Sequence, residues 1–262
     1  MKILLPTILA CAFLACGPAL AQRAGEPVRD WDITLGVAGA VHPTFEGSDR
    51  YRFSPLPLVT FKWRDTISFG EGGLSAAWHN KHLRIGGGLT FDPGRKDHST
   101  GGIFESGDDR LKGLGTINAA LGFRGFAEYR RGPLSVELSG TKFTGSQNSG
   151  ILANLGLSLT LPLTQKLIFI PNVRATWADG TYTQTYFGVT APQAAASIFP
   201  AFSAGAGIKD VRGGASLIYR LNRHWFVGAS AGVVRLMGPA ARSPISLDDT
   251  SVTGMTMIGY RF

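Results

Sequence analysis

Cysteine is almost absent from this chain. Only two of the 262 residues are cysteine, Cys11 and Cys16, and both lie near the N-terminus. A disulfide framework of the kind that stabilises small secreted domains is therefore excluded for everything after residue 16. The stability of the fold must come from packing and hydrogen bonding.

Charge and long apolar runs are also scarce. Charged residues make up 17% of the sequence, against about 25% in average domains. Beyond the N-terminus, no apolar run approaches the ~18 residues that a transmembrane helix needs. Low charge with 35 glycines and 16 phenylalanines favours strands that expose an apolar face to lipid, although one large soluble all-β domain also fits the length.

Recognisable catalytic and ligand-binding motifs are missing as well. No G-x-S-x-G nucleophile elbow and no phosphate-binding P-loop occurs. His79 and His82 are three residues apart, which places them on opposite faces of a strand and makes a poor metal pair. The formal charge of +8 comes from scattered residues, which argues against nucleic acid. We expect a non-enzymatic protein without metal or cofactor.

The N-terminal stretch has the layout of a secretory signal peptide. Lys2 supplies the charged start, residues 3–15 form the apolar core, and Ala19-Leu20-Ala21 offers a cleavage site. An uncleaved anchor helix and lipidation at the second cysteine are the alternatives. We predict a cleaved signal peptide at residues 1–21 and a single exported domain at residues 22–262.

The most informative stretch is residues 151–163, ILANLGLSLTLPL. Every odd-numbered residue in it is apolar, and the residues between are mostly small or polar. Side chains alternate between the two faces of a strand, so one face is apolar. The run is long enough to cross a bilayer as a tilted strand, which takes about 9–11 residues, whereas soluble strands usually have about 5–6.

Similar alternation along the chain predicts about twelve strands, with ten as the alternative because residues 68–81 are ambiguous. Expected strands include Thr116–Arg130 and Val211–Leu221, and Ala178–Asp210 is predicted to be a long loop. Short turns alternate with longer loops. The predicted fold is an all-β transmembrane antiparallel up-and-down barrel with both termini in the periplasm.

The chain ends with Ile258, Tyr260 and Phe262 on one strand face. Aromatic residues at strand ends suit the interfacial girdle of an outer-membrane barrel. A terminal aromatic residue in this setting resembles the signal that the barrel-assembly machinery reads. Outer-membrane lipid and lipopolysaccharide are then the surroundings of the protein.

Charged residues occupy the opposite strand faces and are predicted to face the lumen, because charge facing lipid costs about 2–4 kcal/mol near the midplane. These residues are Arg124, Glu128, Arg130, Glu137, Arg174, Arg212 and Arg220. A cationic lumen would favour anionic solutes. Alternatively the charges pair and fill the barrel, and this second interpretation is the one we favour.

Several stretches together resemble the MipA/OmpV family of outer-membrane proteins. They are PTFEGSD at residues 43–49, FDPGR at 91–95, YTQTYFGVT at 182–190, GAGIKDV at 205–211, Ser243-Pro244 and the terminal GYRF. One departure is Phe45, where the family usually has tyrosine. The matching loop residues are Pro43, Gly47, Ser48, Asp49, Arg95, Tyr182, Tyr186, Phe187, Gly188, Ser243 and Pro244.

The resemblance implies an outer-membrane barrel with a scaffolding role. The family's founding member is described as bridging a lytic murein transglycosylase and a bifunctional murein synthase, a penicillin-binding protein. Other members are known as surface antigens or adhesins. We expect the matching aromatic residues to pack the long loop onto the barrel mouth, and Gly47 and Gly188 to serve positive φ or tight turns. A passive channel and a surface adhesin are the alternative functions.

Overall fold

The computed structural model describes residues 30–70, 72–99 and 107–262. The predicted signal peptide, the lead that follows it and part of the loop after Asp92 lie outside these residues. In the described residues the chain forms one antiparallel sheet that closes on itself.

Thirteen strand segments make up the sheet. They are β1 Trp31–Pro43, β2 Tyr51–Trp63, β3 Ile67–Gly70, β4 Gly73–His79, β5 Leu83–Asp92, β6 Ala120–Arg131, β7 Leu134–Phe143, β8 Ile151–Leu159, β9 Leu161–Pro162, β10 Leu167–Ala178, β11 Gly207–Arg220, β12 Trp225–Leu236 and β13 Thr250–Arg261. Both β8 and β9 pair with β10 in one continuous register, so they are two parts of a single strand interrupted at Thr160.

The barrel is of the up-and-down type. Each strand pairs with the next along the chain, and β13 pairs with β1 to close the cylinder. The barrel therefore has twelve strands, as the alternation in the sequence predicted. Strand β2 contains two prolines: Pro55 lies in the half next to the loop at residues 44–50, and Pro57 is the central residue of the strand.

The two ends of the barrel differ. One end, called the turn end, holds the N-terminal end of β1, the C-terminal end of β13 and the short turns at residues 64–66, 80–82, 132–133, 163–166 and 221–224. The opposite end, called the loop end, holds the hairpin connection between β3 and β4 and the connections at 44–50, 93–119, 144–150, 179–206 and 237–249. Arg64 and Asp65 have φ of 49° and 54°, as in the tight hairpin turns that follow strand twist.

The outer wall is apolar. Along β1, β2 and β7, Val37, Phe53 and Leu138 are 62%, 64% and 60% exposed. A soluble protein does not leave a continuous band of such side chains in water. The odd-numbered residues of β8 form part of this wall. The exterior is therefore solvated by lipid, which for a closed antiparallel barrel means the outer membrane.

Aromatic side chains collar the wall at the turn end. They are Trp31, Trp63, Trp78, Tyr129, Tyr219, Trp225 and Tyr260. Tyr260 makes edge contacts with Trp225 and Phe262, at ring-centroid distances of 5.2 and 4.7 Å, and Ile258 lies on the same face. Tyr260 and Phe262 thus lie in the aromatic collar, and Ile258 belongs to the adjoining apolar wall.

Three sequence predictions need correction at the loop end. Thr116–Ala119 is not part of β6, because Ile117 turns into a buried cluster and its backbone forms an isolated bridge with Arg95. The loop after β10 contains two helices, α1 Gly180–Phe187 and α2 Ala191–Ala196, and α3 Gly238–Ala241 lies in the loop before β13. Strand β11 begins at Gly207, four residues earlier than predicted.

No helix within the described residues is long and apolar enough to cross a membrane.

Candidate functional site: the cap and the filled lumen

Helix α1 is the centre of a cap that closes the loop end. Its N-cap is Asp179, whose carboxylate accepts a hydrogen bond from the Tyr182 backbone N–H at 2.8 Å. The hydroxyl of the fully buried Thr183 donates to the carbonyl oxygens of Asp179 and Gly205, at 2.8 and 2.7 Å. These bonds fix α1 so that its aromatic side chains point into the barrel mouth.

Tyr182, Tyr186 and Phe187 fill that mouth. The first two rings stack at a centroid distance of 4.7 Å, and Phe187 is fully buried. The three pack with Phe143 of β7 and Leu236 of β12, which stand on well-separated parts of the wall. A cluster that joins these walls blocks the opening between them.

A hydrogen-bond network fixes the inner end of Tyr186. Its hydroxyl donates to Asp92 Oδ1 at 2.8 Å and accepts from Asn148 Nδ2 at 3.1 Å. Asn148 Nδ2 also lies 3.0 Å from Asp92 Oδ2. Burial, together with the nearby Asp92 carboxylate, raises the pKa of the Tyr186 phenol. The network therefore holds a neutral phenol against a carboxylate at the end of β5.

Arg95 connects the loop at residues 93–119 to the cap. Its Nη1 donates to the carbonyl oxygen of Tyr186 at 2.6 Å, and its guanidinium lies over the Tyr186 ring at 5.9 Å. The side chain is buried, which lowers the pKa of the guanidinium to about 10. The chain around Arg95 is also held by two backbone hydrogen bonds with Ile117, at 3.0 and 2.8 Å.

A second apolar cluster lies beside α1 and joins four loops. It consists of Phe45, Leu111, Leu114, Val189, Phe199 and Ile245. Ser243 Oγ donates to the Phe187 carbonyl oxygen at 2.5 Å, and Pro244 follows it in the same loop. The first loop is tied in through Thr44 Oγ1, which lies 2.7 Å from Ser48 Oγ and donates to Asp108 at 2.6 Å. Asp49 pairs with Arg110.

The two glycines with expected turn roles behave differently. Gly47 has φ of 91°, the left-handed region that glycine occupies readily. Gly188 has φ of −80°, which any residue can adopt. Glycine is needed at position 188 because there is no room for a side chain. An added Cβ would lie 2.1 Å from Gln184 Nε2 and 2.5 Å from the Gln184 carbonyl oxygen. Pro43 ends β1 directly before the Gly47 loop.

A buried ion cluster lies inside the wall below the cap. A β-bulge between β10 and β11 turns both Lys209 and Asp210 into the barrel, where each is at most 2% exposed. Lys209 Nζ lies 2.8 Å from Asp210 Oδ2 and 2.5 Å from Glu46 Oε1. Arg212 Nε lies 2.9 Å from Asp210, and Arg212 Nη2 lies 3.2 Å from Glu46. Two cations and two anions thus balance, and Glu46 ties the first loop to β11.

Four of the other inward charges form two separate pairs. Arg124 Nη2 lies 2.6 Å from Glu137, and Arg130 Nε lies 2.6 Å from Glu128, which also accepts from Ser135 at 2.6 Å. Arg174 stands on the inward face of β10, and Arg220 donates to the Gln165 carbonyl oxygen at 3.2 Å. All seven predicted lumen charges are on inward strand faces.

An inner apolar cluster obstructs the lumen a second time, nearer the turn end. It contains Leu58, Ile168, Ile170, Ile218 and Phe226, all buried, with Met257 packed against them. Small polar residues on inward faces elsewhere, such as Ser139, Ser158 and Ser216, are 4–6% exposed. Other inward side chains stay partly exposed, such as Arg124 and Glu137 at 19% and 18%, so the lumen is packed most tightly at the cap and at this inner cluster.

Sequence reasoning missed the residues that hold the cap in place. Glu46, Lys209 and Asp210 lie in stretches that carried the family resemblance, but Glu46 and Lys209 are 163 positions apart and no local pattern pairs them. Asp92 and Asn148 were not singled out. No group of three or more His, Cys, Asp or Glu that could hold a metal ion occurs among the residues described.

Comparison with known proteins gives the family. The chain matches the family described as MltA-interacting protein MipA over residues 35–262. The chain belongs to the MipA family. The stretch at residues 182–190 that carried the resemblance is α1 and its C-terminal cap, and the stretch at 205–211 contains the bulge of the ion cluster. Two of the stretches that carried the resemblance therefore lie in the cap and in the ion cluster below it.

Solved structures with some similarity are also outer-membrane proteins, and no curated protein matches the chain. OmpT of Vibrio cholerae has 9% identity and a TM-score of 0.40, covering 89% of this chain and 97% of that one. A bacterial polysaccharide outer membrane secretin has 12% identity and a TM-score of 0.44, covering 90% and 100%. The KdgM porin has 11% identity and a TM-score of 0.42, covering 87% and 99%.

Proposed function

We propose that this MipA-family barrel is a non-enzymatic scaffold that holds murein-remodelling enzymes at the outer membrane. The family description, an MltA-interacting protein, supports a lytic murein transglycosylase as one partner. A bifunctional murein synthase of the penicillin-binding type is the second. In this arrangement the short turns and both termini face the periplasm, where the murein lies.

The observation that carries the proposal is the filled lumen. The cap around Phe187 and the inner cluster around Ile218 close the barrel at two levels. A barrel closed twice is poorly suited to passing solutes, whereas its rigid wall and fixed turns suit the binding of another protein. The inward arginines, which suggested an anion channel, have carboxylate partners at Arg124, Arg130 and Arg212. These ion pairs favour a role for the arginines in packing the lumen over a role in selecting anionic solutes.

Crosslinking in intact cells tests the proposal. A tagged copy of the protein, treated with a mild reversible crosslinker and purified from the outer membrane, should carry the MltA-type transglycosylase and the murein synthase. An unrelated tagged barrel expressed at the same level is the control. Recovery of neither enzyme above that control would refute the scaffold role.

A further inference from the structure

The two ends of the barrel carry very different net charge. At the turn end, ten basic residues occur in the turns and the four adjoining strand residues: Lys62, Arg64, Lys81, Arg84, Arg130, Arg131, Lys166, Arg220, Arg223 and Arg261. Five acidic residues accompany them: Asp30, Asp32, Asp65, Glu128 and Glu137. At the loop end, the described basic and acidic residues are equal in number, ten of each. The positive charge of the barrel is therefore concentrated at the turn end.

Each of the five turns displays one exposed cation at or beside its tip: Arg64, Lys81, Arg131, Lys166 and Arg223. Arg64 is neutralised, because it makes two 2.9 Å hydrogen bonds to the Asp30 carboxylate. Within residues 30–70, 72–99 and 107–262, the other four have no carboxylate within 4 Å. The turn end thus presents four uncompensated cations on four different turns, and these are called the tip cations below.

Three of these four tips share one rigid design. Asn80 Oδ1 accepts from the backbone N–H groups of His82 and Leu83, and Asn222 Oδ1 accepts from those of His224 and Trp225, all at 2.8–2.9 Å. Thr164 Oγ1 holds the turn with Lys166 in the same way, at 3.2 and 3.0 Å. Such side-chain caps fix a turn before any partner arrives. The tip cations are therefore held on preformed supports, which reduces the entropy lost on binding.

The two histidines strengthen this construction. His82 Nδ1 lies 3.0 Å from the Arg130 carbonyl oxygen, and His224 Nδ1 lies 3.0 Å from the Arg261 carbonyl oxygen. Each histidine thereby links its turn to the end of a neighbouring strand. These two turns are therefore fixed to the ends of the adjacent strands.

A second set of cations faces the mouth rather than the membrane. Lys62, Arg84 and Arg220 lie on inward strand faces, and no carboxylate of the described residues comes within 4 Å of them. Arg84 stands over the Phe126 ring at 5.0 Å. Arg220 Nε is buried without a hydrogen-bond partner among the described residues. An anion that approaches along the barrel axis would meet these groups, but a lipid beside the outer wall would not.

We propose that the turn end is an electrostatic docking face for an acidic surface of the murein enzyme that the barrel holds. The inference rests on the proposed function for the identity of the partner. The aromatic collar marks the level of the lipid interface on the outer wall, and Lys62, Arg84 and Arg220 lie inside that collar. A protein that covers the whole end reaches both sets of cations, whereas lipid phosphates reach the tips alone.

Binding of purified MltA-type transglycosylase to the barrel in nanodiscs tests this assignment. The test variant is K81Q/R131Q/K166Q/R223Q, which removes the four tip cations. The matched control is K112Q/K142Q/R235Q/R242Q, which removes four exposed cations from the loop end and the same total charge. Both variants must show wild-type heat-modifiable gel mobility, which establishes that the barrel is folded.

The expected result is a loss of affinity of about tenfold or more for the turn-end variant and less than about twofold for the control. Wild-type affinity should fall as NaCl rises from about 50 to 300 mM, and the turn-end variant should respond less steeply. Equal binding by all three proteins would overturn the docking face and leave the scaffold role intact. No binding by the wild-type protein would overturn both.

Binding of lipid phosphates is the competing explanation for the tip cations. The nanodiscs are therefore made once with phosphatidylcholine and once with added phosphatidylglycerol. If the turn-end variant changes only the thermal stability in phosphatidylglycerol discs and leaves enzyme binding unchanged, the tip cations serve lipid phosphates and the proposal is wrong.

Discussion

At the scale of single residues, Tyr186 is the position where packing and polar contacts meet. Its ring stacks on Tyr182, its carbonyl oxygen accepts from Arg95, and its hydroxyl joins Asp92 and Asn148. Parts of three separate loops or strand ends therefore depend on one side chain. Removing the hydroxyl alone separates the polar contribution from the packing contribution.

The Y186F substitution should lower the free energy of unfolding by about 1–3 kcal/mol, because Asp92 and Asn148 lose a buried partner while the ring stack remains. Urea unfolding of the barrel refolded in lipid vesicles measures this change. The matched control is Y129F on the exposed outer wall, where the change should stay within about 0.5 kcal/mol. An equal effect of the two substitutions would show that the buried network contributes nothing.

The same phenol makes stability depend on pH in the alkaline range. Burial raises the pKa of Tyr182 and Tyr186 in the folded protein above the ordinary value of about 10. Above that value the unfolded chain releases protons that the folded cap retains, so stability present below pH 10 is lost as pH rises. The slope should be shallower in Y186F by up to about 1.4 kcal/mol per pH unit. Parallel slopes for the two proteins would contradict this linkage.

At the scale of elements, the alternation of residues predicted the strands well and the cap poorly. In a strand such as β8, every second residue is apolar because the side chains on the outer face contact lipid. In the cap, no contact with a single solvent imposes a repeating pattern on the sequence. Its order comes from contacts between distant residues, such as Glu46 with Lys209 or Arg95 with Tyr186. Ile117 continues the alternation of β6 and yet leaves the sheet, because the cap offers it a buried site.

The end of α1 supplies an element-scale prediction. The G188A substitution should destabilise the cap by about 1–3 kcal/mol, since the added methyl group would overlap Gln184 and push the helix end away. The matched control is G205A in the same loop, where nothing lies within 4 Å of the added Cβ. Hydrogen exchange at the α1 amides measures the effect.

Faster exchange in G188A with unchanged exchange in G205A is the expected pattern. If both variants exchange like the wild type, the close approach of Gly188 to Gln184 does not hold the helix. If both exchange faster to the same degree, the loop is sensitive to any side chain and the specific contact is again unsupported.

At the scale of the whole molecule, the barrel combines a lipid-facing wall, a filled interior and two unlike ends. The interior obstruction consists of two independent layers, since the cap joins loops whereas the inner cluster joins strands β2, β10, β11 and β12. Loss of either layer leaves the other in place. A barrel that opens as a channel would have to move both.

Conductance across planar bilayers measures that obstruction. The wild-type protein should show no stable conductance steps. Replacing residues 180–205 by a short glycine linker should leave conductance low, because an apolar constriction excludes water and ions even when it is not fully occluded. The I168A/I218A/F226A variant should also stay closed, because the cap still covers the mouth. Only the protein that carries both changes should give stable conductance steps. For every variant, the gel mobility of the folded barrel in unheated samples is the control. Stable conductance steps from the wild-type protein would show that the lumen conducts and would favour the channel function over the scaffold.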